Sequence, residues 1–193
     1  PAGSYAMLLL RDNLRNRNRI ERAYRTAIGT ALSEILIANA YFLPGGKLRR
    51  ALVHAAKRGV KVRLLLQGRY EYFMQYHGSR PVYGKLLAAG VEIHEYSVGF
   101  LHAKVAVVDG RWATVGSSNL DPLSLLLARE ANVVVDDVPF ARALRARLEA
   151  AIQSDGTQLD ATTYALRPWR KRVLDRLAFG VMRLLLFLAG QRY

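Results

Sequence analysis

Cysteine is absent from the 193 residues, which excludes a disulfide framework and any thiolate zinc site and fits a reducing compartment. Acidic side chains are scarce. Against 29 Lys and Arg stand only 15 Asp and Glu, a net charge of +14. So basic a chain points to anionic partners, such as nucleic acid, anionic lipid or phosphorylated substrates, and says little about fold. Internal repeats and low-complexity tracts are also missing. A spanning helix needs about 20 apolar residues. The most apolar stretch, Leu177 to Gly190, has 14 and includes Arg183. The opening PAGSYAMLLLRDN lacks an initiating Met and the basic-then-apolar pattern of a signal peptide, so the chain is expected to begin inside a longer protein. What is plentiful is apolar side chain, 51% of residues, enough for one sizeable core and too much for a disordered chain.

Periodicity gives the order of elements. A short apolar run, Met7 to Leu10, precedes an Arg-rich segment from Arg11 to Arg25. There Arg15, Arg19 and Arg22 share one helical stripe, with Ile20, Tyr24, Ala27, Ile28 and Ala31 on the other side. By the usual fate of charge runs, that stripe is a solvated face. Strands are expected at Glu34 to Phe42, Val60 to Leu66 and Val91 to Tyr96, with helices at Lys47 to Lys57 and Tyr83 to Ala89 ending at Gly59 and Gly90. The Tyr-rich stretch from Gln67 to Pro81 reads as a loop. Strands alternating with helices indicate βαβ units. Beyond them, Leu101 to Val108 and Trp112 to Gly116 form a hairpin around Asp109-Gly110, followed by a strand from Glu130 to Val135 and an amphipathic helix from Val138 to Ile152. The expected fold is α/β: a mixed, mostly parallel sheet flanked by helices, with the hairpin set into it.

The hairpin carries the chemistry. Within LHAKVAVVDGRWATVGSSNLD, Leu101 to Asp121, alternation along a strand sends His102 and Lys104 to one side. Ser117 and Asn119 share the same two-residue offset where the chain returns. An imidazole, an ammonium, a hydroxyl and a carboxamide brought together would cradle a phosphodiester, with Lys104 supplying charge, Ser117 and Asn119 donating hydrogen bonds and His102 attacking or moving protons. Asp109 lies at the turn, with parity opposite to His102, and is expected to hold the hairpin or a buried charge.

The spacing His102-x-Lys104-x4-Asp109-x6-Gly116-Ser117-x-Asn119 resembles the extended motif of the phospholipase D superfamily at every specified position. The stretches IANAYFLPGGKLRRAL, AAKRGVKVRLLLQG and ATVGSSNLDPLSLLLAREANVVV are similar to the C-terminal half of bacterial cardiolipin synthases, the B type above all. The resemblance covers roughly residues 8 to 155. It implies a catalytic set of His102, Lys104, Asp109 and Glu130, with Ser117 and Asn119 binding substrate. In that set His102 is one of two catalytic histidines and the acid–base member. Lys104 and Asn119 hold phosphate, Ser117 supports them, and Glu130 orients the motif imidazole. It further implies phosphatidyl transfer between phospholipids through a phosphohistidine, with no metal or other cofactor, at the cytoplasmic side of a bacterial membrane. The substrates would be anionic phospholipids such as phosphatidylglycerol.

Only one such motif is present, since His54, His77 and His94 have no Lys two positions on. The second half-site must come from the same longer chain or from a homodimer partner, and a lone monomer should be nearly inactive. The alternative is a homodimeric phosphodiesterase acting on nucleic acid, which the charge suits equally but the flanking stretches favour less. Residues 1–155 are expected to form the catalytic half-domain and 156–193 a basic, apolar tail. In that tail, read as a helix, Arg172, Arg176 and Arg183 line one stripe, opposite Leu174, Leu177, Val181, Leu184, Leu185 and Leu188. Such a helix lies on anionic lipid or packs against protein, and the pattern alone leaves both open. Tyr70, Tyr72, Phe73 and Tyr76 are an ordinary loop cluster or an acyl-chain entrance.

Overall fold

A computed structural model describes residues 4–12, 16, 18–121 and 129–188. Arg15 of the expected stripe and the last residues of the tail, 189–193, lie outside these. The strands are β1 (Tyr5–Arg11), β2 (Glu34–Asn39), β3 (Lys61–Gln67), β4 (Glu92–Tyr96), β5 (Lys104–Val108), β6 (Trp112–Gly116), β7 (Glu130–Asp136) and β8 (Gly156–Gln158). The helices are α1 (Arg19–Thr30), α2 (Gly46–Lys57), α3 (Phe73–Leu87), α4 (Val138–Asp155), α5 (Ala161–Ala165) and α6 (Trp169–Leu188).

All eight strands form one sheet in the order β1-β7-β6-β5-β2-β3-β4-β8. The β2–α2–β3–α3–β4 segment supplies two parallel pairings. The other five are antiparallel, so the sheet is mixed as expected but not mostly parallel. The physical reason is connection length. From β5 to β6 a tight turn leaves no room for a crossover, and β7 and β1 then add to that hairpin in alternating directions.

Both faces of the sheet centre are covered, which is why β2 reads as an unbroken apolar run rather than an alternating one. Ile35 and Ile37 pack with Tyr24, Ile28, Leu52 and Leu86 from α1, α2 and α3. Leu36 and Ala38 face the other way, with Val107 and Ala113, onto Ala141, Leu148 and Ile152 of α4. Asp137 caps α4 by accepting the Phe140 N–H at 2.7 Å. Trp112 packs edge-on against Tyr24, 5.8 Å between ring centres.

Two local expectations are corrected. The Arg-rich segment does not start as helix, because Arg11 ends β1 and the helix begins at Arg19. The stretch from Gln67 to Pro81 is not all loop, since α3 starts at Phe73 and runs through Pro81. Buried Arg80 hides that helix in the sequence: its guanidinium stacks between Tyr76 (4.1 Å) and Tyr83 (5.3 Å) and pairs with Glu95, so a charged position occupies the inner face. The segment after 155, for which the pattern left lipid contact and protein packing open, is joined to the domain. β8 pairs with β4, Tyr164 of α5 donates its hydroxyl to the Arg80 carbonyl at 3.0 Å, and α6 lies along α3.

Candidate active site

Antiparallel pairing decides which strand ends meet. Asn39 at the end of β2 stands opposite Lys104 at the start of β5. Gly116 at the end of β6 stands opposite Asn132 near the start of β7. Thus Lys104, the Gly116–Asn119 turn and Glu130 gather at one edge of the sheet although they are far apart in sequence.

His102 is not on the strand. β5 begins at Lys104, so strict alternation does not set the relation between the two side chains. Residues just before the strand are held by other bonds: the Ala103 carbonyl accepts from Ala40 N at 2.9 Å and Leu101 N donates to Gln67 Oε1 at 3.2 Å. The outcome is an exposed His102 imidazole beside a buried Lys104, whose ammonium donates to the His102 carbonyl at 3.2 Å. Burial pushes the Lys104 ammonium below its ordinary value, against the opposing pull of the Glu130 and Asp121 carboxylates. Those two charges therefore lie within electrostatic reach of it.

Ser117 donates to the Glu130 carboxylate, and its hydroxyl also accepts from Ala131 N at 3.1 Å. Glu130 is thus joined to Ser117 rather than to His102, so the orienting bond implied by the resemblance is not formed. Asn119 is buried beside Ser118 in the same turn. Asp109 stands apart from the rest of the set. It lies at the far end of β5, about 16 Å from Lys104 at ~3.3 Å per residue, and its carboxylate accepts from Leu32 N (2.8 Å), Ser33 N (2.9 Å), Ser33 Oγ (2.8 Å) and Glu34 N (2.9 Å). Its place in the catalytic set is corrected: it ties the hairpin turn to the start of β2 and faces no reacting group.

Two residues that position the site, and a third that lines the recess beside it, were missed in the sequence. Asn39, fully buried, accepts from Leu120 N at 3.1 Å and so fixes the turn that carries Asn119. Asn132 accepts from Ser118 N at 3.3 Å and donates to Thr114 Oγ1 at 3.2 Å. Asp121 lines a recess next to the site with Tyr41, Gln67, Arg69, Tyr72 and Met182. A polar Asn inside the apolar run EILIANAYF was the available signal, because a buried amide in a strand must have a structural partner. The tyrosines are placed too: Tyr72 and Tyr76 line this recess, whereas Tyr70 packs against Tyr76 at 5.2 Å.

Gly116 is required by close approach. A Cβ there would collide with the Asn132 side chain and lie 2.5 Å from the Ala131 carbonyl oxygen. Gly116→Ala is expected to lower stability by about 1–3 kcal/mol through forced displacement of packed neighbours, read by urea denaturation; a variant as stable as wild type would refute the packing argument. Of the other histidines, His54 is exposed, His94 is buried in β4, and His77 Nδ1 sits 2.8 Å from Asp175. Among the described residues no three His, Asp or Glu side chains come together to hold a metal ion.

A mixed sheet with helices on both faces, carrying an imidazole, an ammonium, a carboxamide and a carboxylate-bound hydroxyl at one edge, defines the phospholipase D-like class of α/β domain. Within that class the chain belongs to the family described as "Cardiolipin synthase, PLD-like domain", whose profile matches residues 24–152. It is 43% identical to cardiolipin synthase B of Escherichia coli (strain K12) over 183 residues, 95% of this chain and 44% of that protein. The chain therefore spans less than half the length of that curated relative. Among solved structures it is similar to Nuc from Salmonella typhimurium, a phospholipase D family member, with a TM-score of 0.68 at 21% identity over 82% of this chain and 99% of that one. Phosphatidylserine synthase of Haemophilus influenzae Rd KW20 aligns with a TM-score of 0.71 at 14% identity, over 95% of this chain and 46% of that one. At such identities the two structures speak to the fold.

Proposed function

We propose that this chain supplies one half-site of a phosphatidyltransferase of the cardiolipin synthase type, acting on anionic phospholipid at a bacterial cytoplasmic membrane. The observation that carries the reading is the gathering of Lys104, Ser117, Asn119 and Glu130 at one sheet edge with the His102 imidazole left open beside them. Lys104 and the Asn119 amide neutralise and orient the phosphoryl oxygens, with Ser117 held by Glu130 as the supporting hydroxyl. A low-dielectric setting strengthens the Lys104 contribution, since little water competes for its charge.

Transfer runs in two displacements that need a second histidine from another half-domain of this fold, in the same longer chain or a partner copy. The second imidazole attacks phosphorus, forming a P–N bond as the bond to the departing alcohol breaks. His102, as imidazolium, gives that alcohol its proton. The neutral His102 then takes the hydroxyl proton of the incoming alcohol, whose oxygen forms the new P–O bond as the P–N bond breaks. If the acceptor is a hydroxyl of phosphatidylglycerol, the product carries two phosphatidyl groups; if it is water, the outcome is hydrolysis.

The test is to incubate the full-length protein that carries this chain with labelled phosphatidylglycerol and, separately, with DNA. Label moving into a two-phosphatidyl product supports the reading. DNA cleavage without lipid turnover overturns it in favour of a nucleic-acid phosphodiesterase.

A further inference from the structure

Helix α6 is fixed in rotation by one face. Asp175, Ala178, Met182 and Leu186 are its buried residues. Gly78 of α3 faces the Met182 methyl, which would have to shift to admit a Cβ there. Asp175 locks the angle, meeting His77 Nδ1 at 2.8 Å and Arg167 at 3.1 Å. With that face committed to α3, the stripe Leu174, Leu177, Val181, Leu184, Leu185 and Leu188 points away from the protein, with exposures from 39% at Leu174 to 72% at Leu188. Arg172, Arg176 and Arg183 form a separate exposed stripe, set off from the leucines by exposed Val173 and Phe187 so that they border the wider apolar face on that side, and Trp169, 69% exposed, stands at its start.

The geometry points to α6 as a docking helix that lies in the surface of an anionic bilayer, its aliphatic stripe among the acyl chains and its arginines at the lipid phosphates. This deepens the proposed function and rests on it only for the source of the bilayer. A scattered exposed Leu needs no explanation, but an unbroken apolar stripe along a 20-residue helix does. Charge selects the occupant. Besides those three arginines the helix carries Arg170 and Lys171, while Asp175, its one acidic residue, is buried and paired. Exposed charge of a single sign beside an apolar stripe matches an anionic lipid surface, and no described helix is long and apolar enough to cross a membrane. Position agrees with this choice. Met182, on the inner face of α6, also lines the recess with Tyr41, Gln67 and Asp121, so the docking helix forms a wall of the cavity beside the site. A helix seated on the bilayer would hold that cavity at the lipid surface.

Two variants of the full-length protein test this: L177Q/V181Q/L184Q for the stripe and R172Q/R176Q/R183Q for the flank. All six positions are exposed, so the thermal midpoint should hold. With vesicles of phosphatidylglycerol and phosphatidylcholine, the first variant is expected to lose about tenfold or more in partitioning. The second should lose binding to these vesicles and most of its salt dependence, with little change on pure phosphatidylcholine. Either variant binding as wild type overturns the proposal. A changed sedimentation behaviour with unchanged vesicle binding also overturns it, assigning the face to protein contact. Phosphatidyl transfer measured in detergent micelles keeps the two readings separate. Lost docking with retained micellar transfer leaves the proposed function standing, and retained docking without micellar transfer leaves α6 as a lipid-binding element of a protein with another chemistry. Wild type that fails to bind anionic vesicles yet transfers in micelles defeats the docking helix alone.

Discussion

Replacing His102 with alanine in the full-length protein is expected to cut phosphatidyl transfer by about 10²–10⁴-fold, the range a positioned acid–base group supplies. Because the imidazole is exposed and packs against no core, stability should stay within about 0.5 kcal/mol of wild type, as at ordinary surface positions. That separation of activity from stability distinguishes chemistry from structure. It also permits a sharper test of the assigned role. An acid is needed only where the leaving alcohol is a poor one, so a phosphodiester with a nitrophenol leaving group should still load phosphorus onto the second histidine in His102→Ala. A burst of nitrophenol is the expected signal. Loss of the burst with this activated substrate would make His102 the nucleophile, and undiminished transfer with the natural lipid would remove it from the reaction.

How much of this was legible in sequence varies with the physics involved. Strands buried on both faces announce themselves as short apolar runs, and β2, β3 and β7 start within one residue of the expected places. Motif spacing anticipated that Lys104 and the turn carrying Ser117 and Asn119 lie at the same strand ends, because a hairpin converts a sequence interval into a strand-end meeting, whereas Glu130 came from the family resemblance alone. Local patterns carry no information on long-range bonds, and there the reading failed. Nothing in the spacing says that the Glu130 carboxylate takes the Ser117 hydroxyl, or that Asn39 reaches across to Leu120. The part of α3 before Tyr83 was missed for a related reason: its inner face holds Ser79 and Arg80 ahead of Val82 and Tyr83, so no apolar stripe marks it. In α6 both stripes were visible, but the packed face was a third one, centred on Asp175 and Met182, which polarity could not nominate because its anchor is an ion pair.

Asp109→Ala is expected to do the reverse of His102→Ala, lowering stability while sparing the chemistry. One carboxylate satisfies three backbone N–H groups and the Ser33 hydroxyl where the motif hairpin meets β2. Hydrogen bonds to a charged acceptor contribute about 1.5–3 kcal/mol each when buried; several of these are exposed and open to water, so a total loss of about 2–3 kcal/mol is expected. For a chain of this size that corresponds to a fall of roughly 4–12 °C in thermal midpoint. The positive φ of 52° at Asp109 adds a second cost, since alanine lacks the short polar side chain that makes this conformation tolerable. Acid should erase part of the difference. Burial works to raise the Asp109 pKa, but the backbone donors outweigh it and hold the group below its ordinary value. A carboxylate with a depressed folded pKa contributes its stability fully above the ordinary carboxylate range and loses it as pH falls through the lower, folded value. Wild type and Asp109→Ala should therefore converge in stability toward low pH, and denaturant midpoints measured from neutrality down to about pH 3 check this. Asp109→Asn, which keeps one acceptor oxygen, should fall between them. Below its own melting point the alanine variant should transfer phosphatidyl groups at close to the wild-type rate, because about 16 Å of strand separates position 109 from Lys104. Unchanged stability with abolished transfer would put this carboxylate in the reaction instead of under the hairpin.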